Sequence, residues 1–185
     1  MRPQGIVAIE RIVDSSGKVV SLEKAIRYGW IEPGAECSKN LFVDQGRQLL
    51  AYAFAFRSPI QNFVCQNFGV GTGTRPASTT DVALQAPIDL DPPNGVFTAP
   101  VNSIDFLSAF VVRIAFTLGL GTANTQGNGS AITEMGLFSG NNTLIARRVR
   151  TVAINKSSDF APTLVWRVRF LLPFLVGCAG LLGWA

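Results

Sequence analysis

Histidine is absent from this chain of 185 residues. That absence excludes Ser-His-Asp and Cys-His catalysis as well as histidine-ligated metal sites. Cysteine is scarce too, because Cys37, Cys65 and Cys178 are odd in number and show no CxxC spacing. We therefore expect neither a zinc site nor a disulfide framework, and we interpret the three as small buried apolar residues in a reducing compartment. No metal, cofactor or small-molecule substrate is expected.

Charge is the second scarcity. Only 15% of the residues are charged whereas 48% are hydrophobic, and an average chain carries roughly 25% charged residues. The small number of charged residues is too low to cover a free surface. We therefore expect partner chains to cover part of the apolar surface. The length fits a single domain with an added arm.

The few basic residues give a net charge of +4. Arg147, Arg148 and Arg150 form one cluster, and Arg167 and Arg169 alternate in a strand-like run. A basic stripe of this kind can contact nucleic acid. Because the other lysines and arginines are spread thinly, we favour a solvated or interface-paired sheet face over a nucleic-acid site.

Period-two alternation dominates the chain after residue 60, and turn-rich joints separate the runs. In the clearest run, 106–118, Phe106, Ile114 and Phe116 share one strongly apolar face. The pattern predicts a mainly β fold, an antiparallel β-sandwich of jelly-roll or immunoglobulin-like type. Its predicted strands are 62–70, 106–118, 131–138, 143–154 and 163–171.

Two other elements precede these strands. Residues 5–13 and 18–22 flank the turn sequence 14–17 and predict a hairpin. Residues 40–56 predict the one packed helix, with Asn40 as its N-cap and Gly46 as a weak point. We therefore divide the chain into an N-terminal hairpin or docking segment (1–39), a β-sandwich domain (40–170) and an apolar C-terminal arm (171–185).

A glycine-rich run, Gly69–Thr74, superficially resembles a phosphate-binding loop. It lacks the GK[ST] ending and the GxGxxG spacing, and no helix pattern follows it. A glycine turn that ends a strand is the better interpretation.

Glu134 stands in an otherwise uncharged run, from Ser130 to Asn142. The alternatives are that Glu134 faces water, as most glutamates do, or that it is buried and paired with an arginine. We predict a buried ion pair, because several arginines lie in adjacent candidate strands, and we name Arg147 as the partner.

The C-terminal 16 residues, from Phe170 to Ala185, carry no charge. They are fewer than the roughly 18 to 20 residues of a membrane-spanning helix, so a membrane contact is not favoured. The segment could fold back on its own domain. We instead predict that it docks on another subunit, because it follows the last clear strand and contains a proline and three glycines. The predicted interface residues are Phe170, Leu171, Leu172, Phe174, Leu175, Val176, Leu181, Leu182 and Trp184.

In the order and spacing of its segments, the chain resembles small virion proteins of tailed bacteriophages, a group that includes tail-fibre, collar, baseplate and head-decoration components. The resemblance covers about 40–170 and supplies no catalytic residues. The segments that carry it are Asn40-Leu41, Gly46, Leu49-Leu50, Gly71-Thr72-Gly73-Thr74, Pro76-Ala77, Asp81, Ala83-Leu84, residues 132–138, residues 144–147, Lys156 and residues 164–170.

The resemblance implies a structural subunit of a virion, assembled in the host cytoplasm, that binds other virion proteins and copies of itself. A head-decoration, collar or tail position would each fit. The alternative is a carbohydrate- or receptor-binding β module at a fibre tip, but the loops 71–81 and 119–130 contain no aromatic residue. An enzyme is not expected, because the chain has no histidine and no catalytic motif.

Overall fold

A computed structural model describes residues 4–31, 33, 37–55, 64–91, 94–108, 111–123 and 130–169. This part of the chain is mainly β, and all its strand pairs are antiparallel. Its strands are β1 (Gln4–Asp14), β2 (Cys37–Phe42), β3 (Cys65–Gly71), β4 (Ala99–Pro100), β5 (Ser103–Ser108), β6 (Val111–Thr117), β7 (Ser130–Ser139), β8 (Leu144–Lys156) and β9 (Phe160–Arg169). Its helices are α1 (Leu22–Arg27) and α2 (Asp44–Ala55).

The strands pair in the order β4-β3-β7-β8-β2-β1-β9-β6-β5. This ladder divides into two sheets at β2, because residues 37–40 pair with β1 whereas Leu41 and Phe42 pair with β8. A strand that passes from one sheet to another makes a corner between them. One side of the two-sheet structure is closed in this way.

The opposite side is tied by the short link between β4 and β5. The Val101 N–H donates to the Gln66 carbonyl at 2.9 Å, and the Asn102 N–H donates to the Ala115 carbonyl at 2.8 Å. Gln66 belongs to β3 and Ala115 to β6, so two consecutive residues bond to strands of different sheets. The two sheets are therefore joined at both sides.

Apolar side chains from both sheets form one core. Phe68 of β3 and Phe116 of β6 stack with ring centroids 3.9 Å apart, and Trp166 of β9 is completely buried. Each large apolar side chain buried in this way contributes roughly 1.5–3 kcal/mol. A second, smaller cluster consists of Val43, Leu84, Phe138 and Leu144.

The N-terminal hairpin forms only in part. Asp14 and the turn after it reverse the chain, and Val13 then bridges Val19. The predicted second arm does not continue to Leu22, because the Ser21 hydroxyl accepts a hydrogen bond from the Lys24 N–H and caps α1. The strand prediction was wrong there, and the short helix α1 was missed.

The helix predicted over 40–56 begins later than expected. Asn40 lies in β2 and does not cap α2, and the helix starts at Asp44. Leu41 and Phe42 pair with β8, so sheet pairing overrides the local helical pattern at these positions. The predicted packing on the sheets is found, because Leu49 of α2 belongs to the main core.

The single strand predicted over 106–118 was wrong. The structure has a hairpin of β5 and β6 in which Phe106 pairs with Val112 and Ser108 with Val111. Period-two alternation continues through the reversal without glycine or proline, so the sequence holds no signal of the break. Phe106, placed by the prediction on the strongly apolar face, is 79% exposed.

The other predicted strands agree with β3, β7, β8 and β9 within a few residues. Residues 62–63, the loop residues 124–129 and the whole segment 170–185 lie outside the described residues. No helix within the described ranges is long and apolar enough to cross a membrane.

Lys156, at the end of β8, is fully buried and fixes the turn after β6. Its Nζ donates to the Leu120 carbonyl at 3.2 Å and to the Ser157 carbonyl at 2.6 Å. It also lies 5.6 Å from the centre of the Phe160 ring. Burial lowers the pKa of Lys156 to about 8.

This lowered pKa predicts a pH-dependent contribution to stability. Between pH 8 and the ordinary value of 10.5 the unfolded chain holds a proton on Lys156 that the folded chain has lost, so stability should rise with pH in this window. Urea unfolding of the wild type and of Lys156→Met, followed from pH 7.5 to 10.5, should show their difference growing in favour of the wild type. A constant difference would contradict the assignment.

Candidate functional site: a buried arginine–carboxylate network

Arg147 and Glu134 form a buried ion pair between β8 and β7. The Arg147 Nε lies 2.6 Å from the Glu134 Oε1, and neither side chain has any exposed area. β7 and β8 are neighbours, and Arg147 lies opposite Gly136, two residues after Glu134. This is the pair that the isolated carboxylate and the nearby arginine cluster predicted.

A second carboxylate, Asp81, completes the network. Its Oδ2 lies 2.6 Å from the Arg147 Nη1, and its side chain is only 3% exposed. The Arg147 Nη2 donates to the Arg75 carbonyl at 3.2 Å. One guanidinium therefore joins β7 to the segment 72–90. No role was predicted for Asp81 from the sequence. Asp81 and Arg147 are far apart along the chain, and no local pattern indicates that they meet.

The two buried carboxylates are also bonded by backbone N–H groups. The Glu134 Oε1 accepts from the Gln85 N–H at 2.6 Å, and its Oε2 accepts from the Ala86 N–H at 3.1 Å. Asp81 accepts from the Ser78 N–H at 2.8 Å and from the half-exposed Arg75 side chain at 2.6 Å. Two arginines thus face two carboxylates, which offsets the cost of burying charge.

The pKa of Asp81 reflects these contacts. Burial raises it, but the bonds from the Ser78 N–H, Arg75 and Arg147 outweigh burial and hold the pKa below its ordinary value. Asp81 therefore remains ionised at neutral pH and is a poor proton acceptor.

The glycine motif makes room for Glu134. A Cβ on Gly71 would lie 2.7 Å from the Glu134 Oε2, and a Cβ on Gly73 would also collide with this carboxylate. The Thr133 hydroxyl donates to the Gly73 carbonyl at 3.0 Å. The run Gly69–Thr74 therefore ends β3, as expected, and its lack of side chains accommodates a carboxylate of the chain itself.

The network fastens the segment 72–90 over one sheet. The Thr72 N–H donates to the Ala86 carbonyl and the Ile88 N–H to the Val70 carbonyl, both at 2.9 Å. Leu84 of this segment packs with Phe138 and Leu144. The arrangement holds a long loop in one conformation. The buried polar atoms described above form the hydrogen bonds and ion pairs that hold it.

A cavity of about 650 Å³ lies beside the network. Leu41, Thr74, Arg148 and Arg150 are among its lining residues.

Arg167 of the predicted basic stripe lies in a small group of charged residues. Arg113 lies 2.7 Å from Asp105 and also forms an ion pair with Glu10, and Arg167 lies 3.9 Å from Glu10. These ion pairs compensate part of the positive charge on this sheet face.

Two further features concern reactivity. Burial raises the pKa of the Cys65 thiol to about 12, so very little reactive thiolate exists at neutral pH. Within the described ranges no group of three histidine, cysteine, aspartate or glutamate residues could hold a metal ion.

Cys178 lies outside the described residues, as do all nine predicted interface residues of the C-terminal segment.

Comparisons with protein-family models, with curated proteins and with solved structures give no match for this chain.

Proposed function

We propose that this chain is a non-enzymatic structural subunit of a tailed-bacteriophage virion, which assembles with other virion proteins and with copies of itself. A head-decoration, collar or tail position each fits the proposal. One observation supports this proposal most strongly. The segments that resemble phage virion proteins are distant from each other in sequence, yet they meet in one network. Gly71, Gly73, Asp81, Glu134 and Arg147 all take part in it.

The network supports a structural role because of what it does. Arg147, Glu134 and Asp81 are buried and are bonded to each other or to backbone N–H groups. Such groups hold a loop in place but leave no acid or base for a substrate. A rigid scaffold is what a repeated subunit of a particle needs.

The finer fold that we propose is a β-sandwich of jelly-roll or immunoglobulin-like type. The stacked Phe68 and Phe116 rings come from different sheets, and β2 passes from one sheet to the other. Interdigitated side chains are typical of two sheets packed face to face, and a strand that passes between sheets makes a corner between them.

Exposed apolar side chains support assembly. On β5, Ile104 is 43%, Phe106 79% and Leu107 52% exposed. The uncharged segment 170–185 adds nine large apolar residues. Exposed apolar side chains such as those of β5 are a typical mark of protein–protein contact.

Truncation after Phe170 tests the proposal. We expect the shortened chain to keep the far-UV circular dichroism and cooperative melting of the full chain, because the described core ends at β9. It should fail to self-associate in sedimentation velocity and should be missing from particles purified from an infected lysate. Full-length chain expressed in parallel is the control and should co-purify with the particles.

Three outcomes would contradict the proposal. If the truncated chain unfolds, the segment 171–185 belongs to its own core. If it enters particles normally, the segment is not a docking arm. Absence of the full-length chain from the particles would contradict the virion role itself.

A further inference from the structure

The dipeptide Asn94-Gly95 lies between Ile88 and β4 and is chemically labile. Both of its residues are exposed, so water reaches them. Asparagine is a thermolabile residue, and a following glycine makes it more reactive because no side chain shields the glycine nitrogen. The dipeptide is therefore a candidate for loss of the side-chain amide of Asn94.

The reaction is a deamidation through a cyclic imide. The backbone nitrogen of Gly95 loses its proton and forms a bond with the side-chain carbonyl carbon, Cγ, of Asn94. The bond from Cγ to Nδ2 breaks, and Nδ2 takes up a proton and leaves as ammonia. Water then opens the imide at one of its two carbonyls, which gives aspartate or isoaspartate at this position. One water enters, one ammonia leaves, and nothing is oxidised.

Asp89 holds the reacting nitrogen. Its Oδ2 accepts a hydrogen bond from the Gly95 N–H at 2.9 Å. Its Oδ1 accepts from the Val96 N–H at 2.9 Å and from the Asp91 N–H at 3.0 Å, so one carboxylate joins both sides of the loop. Loss of the Gly95 proton would place a second negative charge against this carboxylate. The contact therefore opposes the first step of the reaction.

The asparagine itself is held by Asp91. The Asn94 Nδ2 donates to the Asp91 Oδ2 at 3.1 Å, and the Asn94 backbone N–H donates to the Asp91 carbonyl at 2.8 Å. Gly95 has a φ of 69°, a conformation that favours glycine over other residues. The turn thus requires the residue that makes Asn94 reactive, while the hydrogen bonds of the loop restrain the reaction.

We propose that Asn94 is a deamidation site of this protein and that Asp89 slows the reaction by holding the Gly95 N–H. The folded chain then reacts only when the loop opens locally. Loss of the amide would add a negative charge beside Asp91 and would remove the bond from Nδ2 that helps to close the loop. The inference does not depend on the proposed function.

Incubation of the full chain at mildly alkaline pH, followed by digestion and peptide mass spectrometry, measures the reaction at Asn94. A synthetic peptide of residues 87–98 gives the rate without the fold. We expect the folded chain to react at least about tenfold more slowly than the peptide, because opening the loop breaks a hydrogen bond to a charged group. For the same reason, Asp89→Ala should raise the rate in the folded chain at least about tenfold.

Asp44→Ala is the matched control, because it removes an exposed carboxylate of α2 and should leave the rate unchanged. Asp89→Asn keeps the shape of the side chain without its charge and should also raise the rate, which guards against misfolding of Asp89→Ala. Asn128-Gly129, the second such dipeptide of the chain, is the internal reference. Equal rates in peptide and folded chain, an unchanged rate in both Asp89 variants, or an equal rise at Asn94 and Asn128 would overturn the proposal.

Discussion

Replacing Arg147 by methionine is expected to destabilise the fold by about 3–5 kcal/mol, the range for removing one partner of a buried ion pair. Methionine fills much of the same volume but provides no donor. Glu134 and Asp81 would remain buried, each without its bond to the guanidinium. In a chain of this length such a loss corresponds to a fall in melting temperature of about 10 °C. Urea denaturation monitored by tryptophan fluorescence measures the change in the free energy of unfolding.

Arg75→Ala is the matched control, because Arg75 also bonds Asp81 but its side chain is half exposed. Exposed ion pairs contribute at most about 1 kcal/mol. The variant keeps the Arg75 carbonyl that accepts from Arg147. Equal losses for Arg147→Met and Arg75→Ala would show that the network does not stabilise the fold through its buried pair.

The buried pair illustrates what the sequence could predict. One acidic residue in a long uncharged strand must find a partner if it is buried, and the next strand supplies an arginine cluster. This argument needs only the cost of burying charge and the adjacency of consecutive strands. Asp81 offered no such signal, because it lies in a polar loop where an aspartate ordinarily faces water.

The failed predictions share a different cause. Asn40 carries a good capping side chain, yet Leu41 and Phe42 bond to β8 and draw the preceding residues into a strand. The reversal between β5 and β6 contains no glycine or proline, so the alternation reads as one strand. In both places long-range pairing decides the structure, and a local pattern holds no information about the partner strand.

Gly46 was read from the sequence as a weak point of the helix, and the structure gives it the opposite role. It lies in the first turns of α2, where the helix passes directly over the backbone of β8. A Cβ at this position would lie only 2.7 Å from the carbonyl carbon of Ile145 and closer still to its oxygen. Glycine is the residue that permits this close approach.

We therefore expect Gly46→Ala to destabilise the fold by about 2–3 kcal/mol, the cost of overpacking a tight contact. Helix propensity alone predicts the opposite sign, since alanine in a helix is favoured over glycine by about 1 kcal/mol. The clash is with strand backbone, so no side chain can rotate away to relieve it. The helix would have to move off β8, which would loosen Val43 and its contacts with Leu144 and Phe138. Thermal and urea unfolding of the variant measure the change.

Ala51→Gly in the same helix provides the control. Ala51 is exposed, so this change should cost only the propensity difference of about 1 kcal/mol. If the contact with β8 decides the outcome at Gly46, both variants should destabilise the protein. Gly46→Ala would do so by adding a methyl group, and Ala51→Gly would do so by removing one. If Gly46→Ala instead stabilises the protein by about 1 kcal/mol, intrinsic propensity governs α2, and the close approach of helix and strand contributes nothing to the fold.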